Sequence, residues 1–357
     1  MRTLPTWATG CLLLFALCRA LDGQERVTSS GPLHLGARTA VIGVLEGDSL
    51  QEFGEVGAVS LLPDGRVVVL DRRLPSLHLF TSGGRPLFVA GRAGSGPGEF
   101  RLPSQLRILR GGDLGVLDFG LSRMSFFSLI RDSIQFRRSF QVAPPAREFC
   151  VLGDSLYVAG APTGDSTTLR RYTLNGAEAG SLGELFPDLS DRILAAAVSA
   201  GLRVECQQKA GLVLLASEWL PTVRAYDARS GRRLWETRLS GFQEAIIEHR
   251  VPGIEGRGSA IAFRPPPSQS IHKVAGILAL PEGTVLVQLE RIWRPAGGGP
   301  TRTEYEIRLL RSESGVEIGS YRNVPRVFAN SGGTIVIADT TDYPRLLIYR
   351  LEAHAHR

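Results

Sequence analysis

The sequence predicts an all-β protein, a six-bladed β-propeller whose last blade is closed by an N-terminal strand. Three observations carry this: a strand–turn–strand phrase that returns six times, a four-strand unit around each return, and a strand-like segment ahead of the first. Gly and Pro number 41 and 21 among 357 residues, with 43% hydrophobic content. Such a composition suits short strands joined by tight turns. No long stretch reads as helix, and the segment richest in helix formers, Asp191 to Val198, is short.

The first return is LLPDGRVVVLD, in which Asp64-Gly65 sits between two apolar runs as a hairpin turn does. The phrase recurs as GGDLGVLD to Asp118, GDSLYVAG to Gly160, KAGLVLLAS to Ser217, PEGTVLVQLE near Leu289 and SGGTIVIAD to Asp339. A third strand and second turn follow, clearest in LHLFTSGGRPLFVAG (Leu77 to Gly91) and AYDARSGRRLWETRL (Ala225 to Leu239). One such unit has two apolar faces and cannot bury both alone. Radial stacking of several units does, leaving only short edges. After Asp339 only one more strand remains, so Ala40 to Leu45 (AVIGVL) is expected to supply the missing outer strand. The longest interval holds an insertion near 241–270, rich in Gly and carrying Pro265-Pro266-Pro267, which reads as a projecting loop.

The N-terminus reads as a secretory signal over residues 1–20, with the propeller occupying 21–357. Arg2 supplies the positive start, Ala8 to Cys18 the apolar run, and Cys18-Arg19-Ala20 a cleavage site. That run is too short to span a bilayer, which needs about 20 residues, and Cys18 fits a lipidation site poorly. An exported chain without membrane span is expected, periplasmic or extracellular and monomeric. The remaining cysteines, Cys150 and Cys206, fall on inner strands of neighbouring blades. Such strands usually lie beyond the Cα separation a disulfide requires, so two buried free thiols are expected.

The formal net charge is +6, and removing Arg2 and Arg19 with the signal leaves +4. Lys209 and Lys273 are the only lysines, so nearly all the positive charge is arginine, scattered among glutamates. A nucleic-acid binder concentrates such charge on one face or in runs, so no nucleic-acid partner is expected.

Gly91-Arg-Ala-Gly-Ser-Gly-Pro-Gly-Glu-Phe100, with Pro103 beyond it, resembles the linker between blades of NHL-repeat propellers. Around it, the Asp-Gly turn, a strand ending in Asp and a following Arg match the same pattern, repeated as Asp118 with Arg123 and Asp339 with Arg345. The resemblance is to exported bacterial six-bladed propellers of unassigned role. It implies structural work for these motifs: glycines for tight turns, Phe100 packed between blades, and aspartates accepting turn hydrogen bonds. Locally, Ala225 to Trp235 is similar to the repeat of pyrroloquinoline quinone propellers, in which the Trp docks one blade on the next. The motif occurs once here, so quinone binding is not expected.

No catalytic set emerges. Of the six histidines only His272 lies near an inner-strand start, where a zinc lyase would need several from different blades. Glu148, Glu205 and Asn323 lie near inner-strand starts and are the oxygen donors a lactonase-type calcium site would draw on, but no register puts them at one level. The expectation is therefore no cofactor, with calcium as the alternative. Counting back from each inner-strand turn places Gln105, Arg147, Arg203, Lys273 and Arg326 at the approach to the channel. Four of them are cationic and come from four blades, a pattern that would attract an anion. The function expected is binding or interaction, with a small anionic ligand, a glycan or a protein as partner. The alternative is a channel-centred, metal-dependent hydrolase or lyase of the lactonase type.

Overall fold

The computed structural model describes residues 35–46, 50–160, 167–186, 198, 201–250, 260–264, 270–280, 282–293, 301–331, 333–339 and 343–351. The segment read as a signal, and the helix-forming stretch up to 197, lie outside these. The chain divides into Met1–Ser30, also outside them, and a unit spanning Gly31–Arg357.

That second unit is a six-bladed propeller. Blades 1 to 5 are four-stranded antiparallel sheets in chain order, beginning with inner strands Val56–Leu61, Pro103–Ile108, Ala146–Leu152, Leu202–Gln207 and Ser270–Ala279. Blade 6 is built from Val327–Ser331, Thr334–Asp339 and Arg345–Leu351, and its outer strand is the N-terminal Leu35–Ile42. Ile42 pairs with Leu346 and Ala40 with Ile348, so the two ends of the chain are bonded in one sheet. The closing strand ends at Ile42, three residues short of the expected Leu45, because Gly43 (φ 112°) turns the chain.

The second strands read as continuous apolar runs because each is covered on both faces. Val67–Asp71, Leu114–Asp118 and Leu212–Ser217 are buried throughout, whereas the outer strands Arg233–Arg238 and Glu317–Arg322 alternate with solvent. The core is therefore six slabs, one between each pair of successive blades. Phe100, Leu106 and Phe127 pack with Leu70 and Leu79 between blades 1 and 2, and Ile42, Leu346 and Ile348 meet Val67 and Phe80 between blades 6 and 1.

The linker motif does the structural work the resemblance implies. Phe100 is fully buried, and a Cβ on Gly91 (φ 83°) would lie 2.4 Å from its ring. The Arg123 guanidinium donates to the carbonyls of Ser95, Gly96 and Glu99, clamping the glycine-rich turn. Asp71 accepts from the backbone N–H groups of Gly54, Glu55, Arg73 and Leu74, and Asp118 from those of Arg101, Leu102 and Leu121. Asp339 pairs with Arg345 at 2.6 Å. Trp235 is buried and donates its indole N–H to Ser312 of blade 5, docking blade 4 on its neighbour.

Two expectations are corrected. Cys150 and Cys206 form a disulfide, their Cα atoms 5.4 Å apart. Inner strands converge towards the axis, and those of blades 3 and 4 approach closely enough there for two facing cysteines to meet. The region 241–270 is also more than a loop: Ile246–Arg250 pairs antiparallel with Ala260–Arg264 as a separate hairpin.

A buried ionic cluster inside blade 5 yields a first prediction. Burial would push the Glu306 carboxyl up, but hydrogen bonds and charge from His272 and Arg308 outweigh it and hold it down at about 2, against an ordinary 4.5. A depressed carboxylate contributes stability that is fully present above its unfolded value and is lost as pH falls through its folded one. The stability difference between the native chain and Glu306→Gln should therefore shrink as pH falls from about 4.5 to about 2. Denaturant unfolding of both proteins across that range measures it, and a pH-independent difference would contradict the assignment.

Candidate functional site

The six inner strands form a ring. Contacts run between those of blades 1 and 2, 2 and 3, 3 and 4, 4 and 5, and 6 and 1. Gln288 completes it, donating to the Pro325 carbonyl and accepting from the Val327 N–H at the blade 5–6 junction. Side chains stitch four of the other junctions to backbone. The Ser60 hydroxyl donates to the Leu106 carbonyl, the Gln105 oxygen accepts from the Phe149 N–H at 2.5 Å, and Glu148 accepts from the Val204 N–H. Arg203 donates to the Val274 carbonyl at 3.1 Å.

Five of these strands carry a β-bulge, in four of them near the start and in blade 5 at mid-strand, where two residues oppose one on the second strand. The extra residues are Gly57, Ser104, Arg147, Ala275 and Phe328. A bulge leaves its extra residue out of the ladder and re-aims the side chain. All five line one of two adjoining axial spaces. One, of about 300 Å³, is bounded by residues of all six blades, and the other, of about 420 Å³, by residues of blades 1 to 5. They share Arg72, Ser104, Glu148, Arg203 and Lys273.

Each blade contributes one cation to these walls: Arg72, Arg107, Arg147, Arg203, Lys273 and Arg326 in blade order. Four are compensated. Arg203 pairs with Glu148 at 2.6 Å and reaches Glu218 at 3.5 Å, and Lys273 holds Glu218 at 2.9 Å. Arg107 holds Glu205 at 2.8 Å, and Arg72 pairs with Glu55. Burial pushes the Glu205 carboxyl above the ordinary range; Arg107 opposes this and the Glu148 charge adds to it.

The expected residues thus divide. Arg147 is exposed, its guanidinium 4.7 Å from the Phe119 ring of blade 2. Arg326 lies 4.5 Å from the Phe328 ring, with the Tyr305 hydroxyl as its polar neighbour. Arg203 and Lys273 line both spaces but are bound into carboxylates. Gln105 lines the first space, yet its oxygen is committed to the blade 2–3 junction. Arg72 and Arg107 were not anticipated. Arg107 follows Gln105 by two residues and could have been found from strand alternation, whereas Arg72 lies past the end of a second strand, where alternation gives no guide.

The other donors do not converge. Glu148 and Glu205 are each tied to an arginine, and Asn323 is exposed (φ 54°) and borders neither space. His272 is buried away from both spaces, where its Nδ1 accepts from the Gln243 N–H and its Nε2 lies 3.5 Å from Glu306. Among the described residues no group of three or more His, Cys, Asp or Glu side chains is placed to share a metal ion.

Fold and site together define a six-bladed β-propeller with a charged axial mouth. No protein-family model matches the chain, and no curated protein matches it. Among solved structures it is similar to a member of the DUF4221 family from Bacteroides vulgatus, with a TM-score of 0.59 at 8% identity over 90% of this chain and 97% of that one. It is also similar to a Bacteroides fragilis protein assigned by name to the exported class, with a TM-score of 0.56 at 11% identity over 90% and 98%. At such identities the likeness speaks for the fold.

Proposed function

We propose that this chain is an exported, NHL-repeat-like propeller that acts as a binding scaffold and takes a small anionic ligand at its axial mouth. The observation that carries this is the ring of six cations, one from each blade, around two adjoining spaces, of which Arg147 and Arg326 make no ion pair among the described residues. Fixed positive charge in a concave, partly desolvated mouth focuses potential there and draws an anion in. A Cys150–Cys206 disulfide suits an oxidising compartment and so supports export.

Thermal unfolding of the full chain in sulfate, phosphate or citrate tests the reading. A ligand that binds only the folded state raises the melting temperature by mass action. A rise is expected with at least one of these anions, weakening as sodium chloride is added. It should be lost in Arg147→Ala/Arg326→Ala, whose melting temperature without anion should match the native chain. No rise with any of them, or a rise that the double variant retains, would overturn it.

A further inference from the structure

The ring of cations is unevenly neutralised, and this points to the shape of the ligand. Of the six, only Arg147 and Arg326 make no ion pair within 4.0 Å among the described residues. They belong to blades 3 and 6, which stand opposite each other in a ring of six. Each guanidinium is braced over an aromatic ring, Phe119 for one and Phe328 for the other. A cation held over a ring face is positioned while N–H donors remain for a carboxylate or similar group, although Arg326 also engages the Tyr305 hydroxyl. Between them, on the side of blades 4 and 5, Glu148 and Glu218 neutralise Arg203 and Lys273. A second negative charge would be poorly received there; Glu290 of blade 5 also lines the space, so the second group must sit against the Arg326 guanidinium itself.

We propose that the ligand is a diacid: two anionic groups, one held by Arg147 and one by Arg326, joined by an uncharged spacer that crosses the axis. This rests on the reading of the mouth as an anion site and adds the requirement for two charges at a set separation. Arg147 lines the larger space and Arg326 the smaller, and the two adjoin along shared walls, so the proposal requires the spacer to pass from one to the other. Linking two groups that each bind weakly converts the second contact into an intramolecular one. The gain is largest when the spacer matches the span and falls away on either side.

The probes are linear α,ω-dicarboxylates of increasing length, from succinate to sebacate, and the monocarboxylates of matching length, titrated calorimetrically into the full chain at low salt. One diacid length should bind about tenfold or more tighter than its monoacid. Arg147→Ala and Arg326→Ala should each reduce that diacid to the monoacid level, and the double variant should lose the remaining monoacid-level binding as well. Arg326 is only half-exposed, so Arg326→Lys, which keeps the charge but not the paired donors, provides a second test and should weaken the diacid partially. Diacids that bind no tighter than monoacids at any length, or a single variant that still prefers the diacid over its monoacid, would overturn the two-point proposal while leaving anion binding intact. Failure of both series, with no response to sulfate, phosphate or citrate, would remove the anion site itself.

Discussion

Deleting Leu35–Ile42 is expected to abolish cooperative folding of the propeller. This strand is the outer strand of blade 6 and, among the described residues, the only bond between the two ends of the chain within a sheet. It buries Ile42 completely and Ala40 nearly so, against Leu346 and Ile348 of its own blade and Val67 and Phe80 of blade 1. It also rests on blade 1 through a close approach: a Cβ on Gly84 (φ 84°) would lie 2.7 Å from the Val41 carbonyl. Without it, Arg345–Leu351 becomes an exposed sheet edge beside an uncovered apolar slab, a combination that promotes aggregation. A milder version is quantitative. Ile42→Ala should cost about 2–5 kcal/mol, the range for truncating a fully buried large aliphatic side chain. Denaturant unfolding measures it, and a loss well under about 1 kcal/mol would mean that the strand does not close the ring.

Replacing Cys150 and Cys206 by serine should also produce a large loss. The bond joins inner strands of blades 3 and 4 across 56 residues of sequence. A crosslink over a loop of that length restricts the unfolded chain by about 4 kcal/mol in the loop-entropy treatment. Serine would also place two hydroxyls in a slab lined by Leu202, Val204, Val213 and Leu215, adding to the cost. The native chain should therefore unfold at higher denaturant concentration than the double variant, and reductant should lower it to a similar level. Indifference to reductant would show that the thiols are free, as the sequence alone suggested.

The blades were legible because their signal is local and repeated. Turn residues such as Asp64-Gly65 and runs such as Val67–Leu70 announce a hairpin wherever they occur, and six copies leave little choice of architecture. The closing strand was legible by subtraction, since blade 6 lacked a partner. The disulfide was not, because it depends on how far two particular inner strands converge, which no spacing in the chain encodes. The mouth was half legible. Counting back from the turns found Arg147 and Arg326, but it could not tell them from Gln105 and Arg203, which bond to the backbone of the next blade. One-residue bulges in five inner strands shift the phase of side chains towards the axis. The bulge residues, Ser104 and Phe328 among them, carry no sequence mark. Nor does a sequence show that Glu55, Glu148, Glu205 and Glu218 neutralise four of the six cations, since three of those pairs join residues more than about 50 positions apart.

The most direct test of the central claim, that the axial mouth is an anion site, is the position of a heavy anion in crystals of the full chain soaked in selenate. Anomalous density is expected within the axial spaces, against the guanidinium of Arg147 or Arg326. Density confined to arginines on the outer strands, with none inside the ring, would contradict it.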